Sequence, residues 1–110
     1  AFLACCAMCG AASESVVLAL AIAKTRDEAH VMRLYLSASG RKAVENLLIP
    51  GQTLPVQDQF HRYTALLTYW RDSASHGRAV NISEPEAYSS LALLLRFAHW
   101  AEGRWSDLTA

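Results

Sequence analysis

An all-α domain is what this sequence predicts, and three observations predict it. The apolar share is carried by 19 Ala and 15 Leu, against only 9 Val plus Ile among 110 residues. Ala and Leu are strong helix formers, whereas strands favour β-branched side chains. The clearest periodic stripe, Val56, Phe60, Tyr63, Leu67, Trp70 and Ala74, repeats at a spacing of three and four. Helix start and stop signals divide the rest of the chain. A length of 110 residues, 53% hydrophobic and 18% charged, fits a single domain spanning 1–110 and excludes a disordered segment.

Taken in order, the signals give a bundle of four main helices plus a short one. The first runs from about Phe2 to Lys24 and is apolar around most of its circumference, as a helix buried on several sides would be. Its small-residue stripe, Leu3, Ala7, Gly10, Val17 and Ala21, allows close approach of a neighbour, and Glu14 falls inside that stripe. A second helix is expected after Thr25, where Thr25 and Glu28 have the capping-box spacing, with Ser39-Gly40 as its stop. A shorter helix follows from Arg41 to Ile49, burying Val44, Leu47 and Leu48. Pro50-Gly51 and Pro55 bracket a loop. The third long helix starts near Val56 and ends around His76-Gly77. Ser83-Glu84-Pro85-Glu86 combines an N-cap, an early Pro and a capping box, and opens a last helix reaching about Glu102. That helix is apolar on two faces, Leu91, Leu94, Leu95 and Ala98 on one, Leu93, Phe97 and Trp100 on the other. One face serves the core; the other suits a subunit contact, so a homodimer is expected.

Most familiar chemistry is missing from the chain. Cys5, Cys6 and Cys9 all lie in the first nine residues and cannot build a disulfide framework across a domain. No second Cys pair or spaced His pair completes a zinc set, so these thiols read as core packing, with no metal and no cofactor expected. Free thiols fit the cytoplasm. The apolar first helix is interrupted by Glu14 and has no basic residue before it, which argues against a signal peptide or a membrane span. The chain opens on Ala1 rather than Met and reads as a piece of a longer protein. Glycine-rich phosphate loops and the Gly-x-Ser-x-Gly elbow are absent.

One constellation remains, Tyr69-Trp70-Arg71-Asp72-Ser73-Ala74-Ser75-His76-Gly77. Arg71 and His76 stand five apart, and on an unbroken helix they would diverge by roughly 140°. Unwinding near Gly77 would return His76 toward the Arg71 guanidinium. The surroundings are locally basic, with Arg62, Arg71, Arg78, His61 and His76 against Asp58 and Asp72.

An all-α chain with an Arg-x4-His motif, a polar residue directly after the Arg, and the motif just ahead of the last helix resembles the HEPN superfamily. The stretches CGAASESVVLALAIAK and YWRDSASHG also look like those of uncharacterised bacterial HEPN-like proteins. The resemblance implies a HEPN-like fold, a homodimer whose two motifs meet in a cleft, and RNA cleavage without metal, as in a toxin or defence effector held by a regulatory protein partner. By motif match, Arg71 and His76 would be the catalytic pair and Asp72 the polar residue that orients them. Family members often add a polar residue from an earlier helix, and Glu14 is the acidic candidate in the first.

The implied chemistry suits these residue types. RNA brings its own nucleophile, the 2′-OH, so the protein needs only proton transfer and charge stabilisation. A histidine exchanges protons near neutrality. An arginine grips a phosphate bidentately and offsets the developing charge. Arg62 and Arg78 are the neighbouring phosphate-binding candidates. Ten positive against ten negative charges exclude a broad nucleic-acid coat or a basic membrane binder, yet leave room for one confined basic site. The alternative function is a non-catalytic helical module that dimerises or docks a partner, resting on the doubly apolar last helix and the neutral balance. For the motif itself, the competing reading is a solvated helix end with His76 as a C-terminal cation.

Overall fold

A computed structural model describes residues 2–75 and 83–110, with side chains except at 66, 67 and 70–75. These residues form helices α1 (Phe2–Thr25), α2 (Glu28–Tyr35), α3 (Gly40–Leu48), α4 (Leu54–Ser75), α5 (Glu84–Gly103) and α6 (Trp105–Leu108), with no strand among them. The all-α class follows. Three helices run long; α2 has only 8 residues and α3 has 9.

The central element is α1, which packs against α3, α4 and α5 and touches α2 and α6. This explains its apolar circumference: it buries Cys6, Cys9, Gly10, Ser13, Val17, Leu20 and Ala21 toward different neighbours. It is also the one helix among the described residues long and apolar enough to cross a membrane. Cys6 meets Ser90 near one end, and Val16 and Ala19 lie with Ala98 and Ala101 near the other, so α5 runs parallel to α1. Lys24 lies by Val56, and Ser13 and Glu14 by Thr64 and Thr68, so α4 runs antiparallel.

Packing is densest where α1, α4 and α5 meet. Leu20, Ala21, Val31, Val44, Leu48, Phe60, Phe97, Ala101 and Leu108 are each at most 2% exposed. Phe60, Tyr63, Phe97 and Trp100 form an aromatic cluster with ring centroids 5.4–6.3 Å apart. Fully burying one such ring is worth about 1.5–3 kcal/mol. Trp100 keeps its indole N–H satisfied by donating to Gln59 Oε1 at 2.9 Å. Val56, Phe60 and Tyr63 thus place the start of the expected α4 stripe on the core, while the side chains of Leu67, Trp70 and Ala74 fall outside the described residues.

Helix boundaries depart from the sequence reading in three places. Thr25 and Glu28 do not form the expected capping box. Asp27 is the N-cap of α2, its carboxylate accepting from the His30 N–H at 3.0 Å, and the Thr25 hydroxyl instead donates back to the Ala21 carbonyl at 2.8 Å. Arg26 sits in the left-handed region (φ 55°), so α1 ends and α2 restarts within two residues, and the cap moves past it. Ser39-Gly40 does not stop the second helix, which ends at Tyr35; Gly40 opens α3. It is buried, and a Cβ there would overlap the Tyr35 carbonyl, so glycine serves close approach rather than a left-handed turn. Finally, α4 begins at Leu54, with Pro55 in its first turn, where a missing N–H costs nothing. Two expectations hold closely. Gly51 turns the chain at φ 89° after Pro50, and Ser83 with Glu86 makes a full capping box for α5. Helix α6 has no counterpart in the sequence reading; Leu108 anchors it in the core.

On α5, Phe97 is buried and Leu93 and Trp100 are half-buried, so this face serves the core as expected. The other face is divided. Leu94 and Ala98 are half-buried, whereas Leu91 and Leu95, with Tyr88 beside them, are exposed.

Candidate functional site

The helical backbone of α4 continues through Ser75, so Arg71 and Asp72 belong to its last turns. Their side chains, and all of His76 and Arg78, lie outside the described residues, as does the expected unwinding near Gly77. Of the remaining candidates, Arg62 is exposed on α4. Glu14 faces the junction of α1, α3 and α4, near Thr64 and Thr68. The register of α4 puts position 71 three residues, about 4.5 Å of axial rise, beyond Thr68. Glu14 therefore marks the level of the bundle next to the motif.

Around Glu14 the structure gathers polar groups from four elements. The Tyr35 hydroxyl on α2 donates to Glu14 Oε2 at 2.6 Å, and Arg41 Nη1 on α3 approaches Glu14 Oε1 at 3.5 Å. Glu14 is only 12% exposed, so the carboxylate is sheltered, while Arg41 keeps a third of its surface in solvent. An acid inside an otherwise apolar stripe is tolerated because both oxygens find donors. Pairing with a basic side chain is the ordinary way in which such an acid is sheltered.

Glu45, one turn after Arg41, shares the same cavity. Burial raises its carboxyl above the usual glutamate value, and the neighbouring Glu14 adds to the rise. His61, the Thr64 hydroxyl and Arg41 act in the opposite direction and do not cancel it. Thr64 itself is buried and donates to the Phe60 carbonyl at 3.0 Å. Val17, Leu18 and Val44 close the walls, leaving about 20 Å³, room for about one water.

A separate groove of about 520 Å³ lies between the start of α3 and α4. Arg41, Glu45 and Thr68 line both spaces. Lys42, Asn46 and His61 complete the polar wall of the groove. The sequence reading singled out Glu14 but not Tyr35, Arg41, Glu45 or Thr64 as its company. The one available signal is an acid in a small-residue stripe, which requires donors from some other helix without saying which.

The cysteines occupy the other end of α1. Cys6 is fully buried against Ser90 at 3.3 Å, and Cys5 points its thiol to the Ala87 carbonyl at 3.9 Å. Burial and the adjacent Cys5 push the Cys9 thiol up to about 11, which keeps it protonated and unreactive at neutral pH. Cys5 and Cys6 join α1 to α5 by packing. Among the described residues no three His, Cys, Asp or Glu side chains are grouped closely enough to hold a metal ion. Compared with protein-family models, with curated proteins and with solved structures, the chain matches none.

Proposed function

We propose that this chain is a metal-independent endoribonuclease of the HEPN type. The observation that carries the reading is the Arg71-x4-His76 motif of the sequence, with Asp72 directly after the Arg, beginning in the last turns of α4 and preceding the Ser83-capped α5 in an all-α chain. In this reading Arg71 binds the scissile phosphate, and His76 moves a proton from the 2′-OH or to the leaving 5′-oxygen. Asp72 orients the pair, and Arg62 and Arg78 hold flanking phosphates. Glu14 acts beside them by fixing α1, α2 and α3 at the level of the motif. Attack by the 2′-OH on phosphorus forms one P–O bond and breaks another. The products are a 2′,3′-cyclic phosphate and a free 5′-hydroxyl, with the proton lost at one end gained at the other. Two copies related by a dimer axis would let one His76 act as base and the other as acid. Cleavage of RNA in EDTA by the wild-type protein, absent in His76→Ala, is the expected result; equal cleavage by both, or none by either, contradicts it.

A second reading draws on a separate observation. Tyr88, Leu91 and Leu95 stand at helical spacing on α5 and are 64%, 40% and 61% exposed. Such a stripe suits a non-catalytic module that pairs with a second copy or docks a regulatory protein. Sedimentation at micromolar concentration tests it: a dimer that Leu95→Glu separates supports the reading, and a monomer opposes a homodimer through this face.

A further inference from the structure

The solvent side of α1 carries no charge, although an exposed helix face is ordinarily the charged one. Between Phe2 and Ala23 the one charged residue is Glu14, which turns inward to Tyr35 and Arg41. Ala4, Met8, Ala11, Ser15 and Ala19 are all exposed, and their spacing of three and four puts them on one stripe. The exposed Leu91 and Leu95 of α5 lie alongside it. Cys6 meets Ser90 before them, and Val16 and Ala19 share a groove with Ala98 and Ala101 beyond them. The two parallel helices therefore hold Leu91 and Leu95 level with Met8 to Ala12. The groove measures about 390 Å³, and its walls are Ser15, Val16, Ala19, Ala98, Ala101 and Trp105, with Glu102 exposed at the rim. The face thus has two halves of opposite relief. Met8, 71% exposed, and Leu95, 61% exposed, project from the first half, and the apolar groove is sunk into the second.

We infer that this face pairs with a second copy of the chain, set antiparallel about a two-fold axis that passes near Ala11. The inference rests on the reading of the α5 stripe as a pairing face, and it extends that reading to α1, to the groove and to one partner. The relief of the face selects the occupant. A half-turn about the middle of the stripe carries Met8 and Leu95 of one copy over Ser15, Ala19 and Ala98 of the other. Each copy then fills the other's groove, which is the self-complementarity of an isologous interface. The small side chains at 4, 11, 15 and 19 let the two α1 axes approach to about 8 Å, the close end of helix packing. Size agrees with this. From Ala4 to Ala19 the stripe runs about 22 Å, and two helices side by side are about 20 Å wide. That is roughly 440 Å² of projected area on each copy. Accessible surface exceeds projection on a face with such relief, so a pair buries on the order of 1,000 Å², as a specific interface requires. With ten positive and ten negative charges, two copies do not repel each other at long range. The residues of the face come from α1, α5 and α6, so this pairing is separate from the meeting of two Arg71-x4-His76 motifs.

The test is sedimentation velocity of the full chain at micromolar concentration, with far-UV circular dichroism of each variant. Ala11→Lys sets a charge beside the axis at an exposed helical position, and Lys is a good helix former, so helicity should be kept. The expected result is a dimeric wild type and a monomeric Ala11→Lys. Met8→Ala weakens dimerisation about tenfold or more, since both grooves lose a filling side chain. Arg33→Glu, exposed on α2, stays dimeric. Ala11→Cys reads the geometry without adding charge. Position 11 faces its own copy at an antiparallel axis, so mild oxidation links Ala11→Cys into a covalent dimer beyond any linkage in wild type, and Ala19→Cys does not link. A monomeric wild type overturns the inference, and a monomer that floats with phosphatidylcholine vesicles gives the face to lipid instead. A dimeric Ala11→Lys, or linkage through Ala19→Cys rather than Ala11→Cys, overturns it as well. Leu95→Glu separates the inference from the reading beneath it. A dimer lost in Leu95→Glu and kept in Ala11→Lys removes the α1 face and leaves the α5 stripe; the opposite pattern removes the α5 stripe and keeps pairing through α1.

Discussion

Glu14 shows how one polar side chain organises its neighbours. Its carboxylate takes a hydrogen bond from Tyr35 at 2.6 Å and faces Arg41 at 3.5 Å, linking α1 to α2 and α3. Hydrogen bonds to a charged partner are worth roughly 1.5–3 kcal/mol when sheltered. Tyr35→Phe keeps the ring and the Arg41 pairing and removes only the hydroxyl, so we predict a loss of about 1–2 kcal/mol in urea unfolding; no loss would mean that the bond is idle. Glu45 makes the opposite contribution. Its folded carboxyl lies above its unfolded value, chiefly through burial. The folded state therefore binds the proton more tightly, and this favours folding below the unfolded value and is lost as pH rises through the folded one. Glu45→Gln should accordingly be more stable than wild type at pH 7, with the advantage disappearing near pH 4. An advantage independent of pH would assign it to packing instead. Nothing in the local sequence of Glu45 distinguishes it from a solvated acid on a helix surface, because its environment is built by α1 and α4. Glu14 is more legible, since its apolar flanks already demand a partner.

At the scale of elements, local signals were readable where neighbouring residues alone determine the outcome. The Ser83 hydroxyl and the Glu86 carboxylate cap α5 reciprocally, and both groups lie within four residues. Ser83→Ala should cost about 1 kcal/mol, read as a shift of the urea midpoint without a change in slope; an unchanged midpoint would show that the first turn of α5 is held by other contacts. Boundaries set by tertiary contact were not readable. Gly40 has the look of a helix stop after Ser39, yet it is the buried first residue of α3, lodged against the Tyr35 carbonyl. Gly40→Ala should destabilise by about 3 kcal/mol, as overpacking against backbone does, with Ser39→Ala as the milder control. Equal effects of the two would contradict the close-approach account. The start of α2 escaped for a similar reason. Thr25 carries capping spacing, but the left-handed Arg26 shifts the turn and gives the cap to Asp27.

Across the whole molecule, one apolar helix collects the others. The absence of a polar face on α1 predicts a buried position, and the structure shows α3, α4 and α5 packed around it. The composition made the all-α class legible, because Ala and Leu so outnumber Val and Ile. It could not indicate that α2 would be short or that a final turn, α6, would be held by Leu108. The candidate chemistry divides at this scale. Arg71 and His76 were legible only as a motif, whereas the Arg41, Lys42 and His61 groove emerges only when α3 is laid against α4.

The central claim is that Arg71 and His76 cleave RNA through its own 2′-OH. A DNA oligonucleotide carrying a single ribonucleotide, incubated with the protein in EDTA, tests it most directly. Scission only on the 3′ side of the ribonucleotide, leaving a 2′,3′-cyclic phosphate and lost in both Arg71→Ala and His76→Ala, is the predicted result. An intact strand, or scission that survives either substitution, would contradict it.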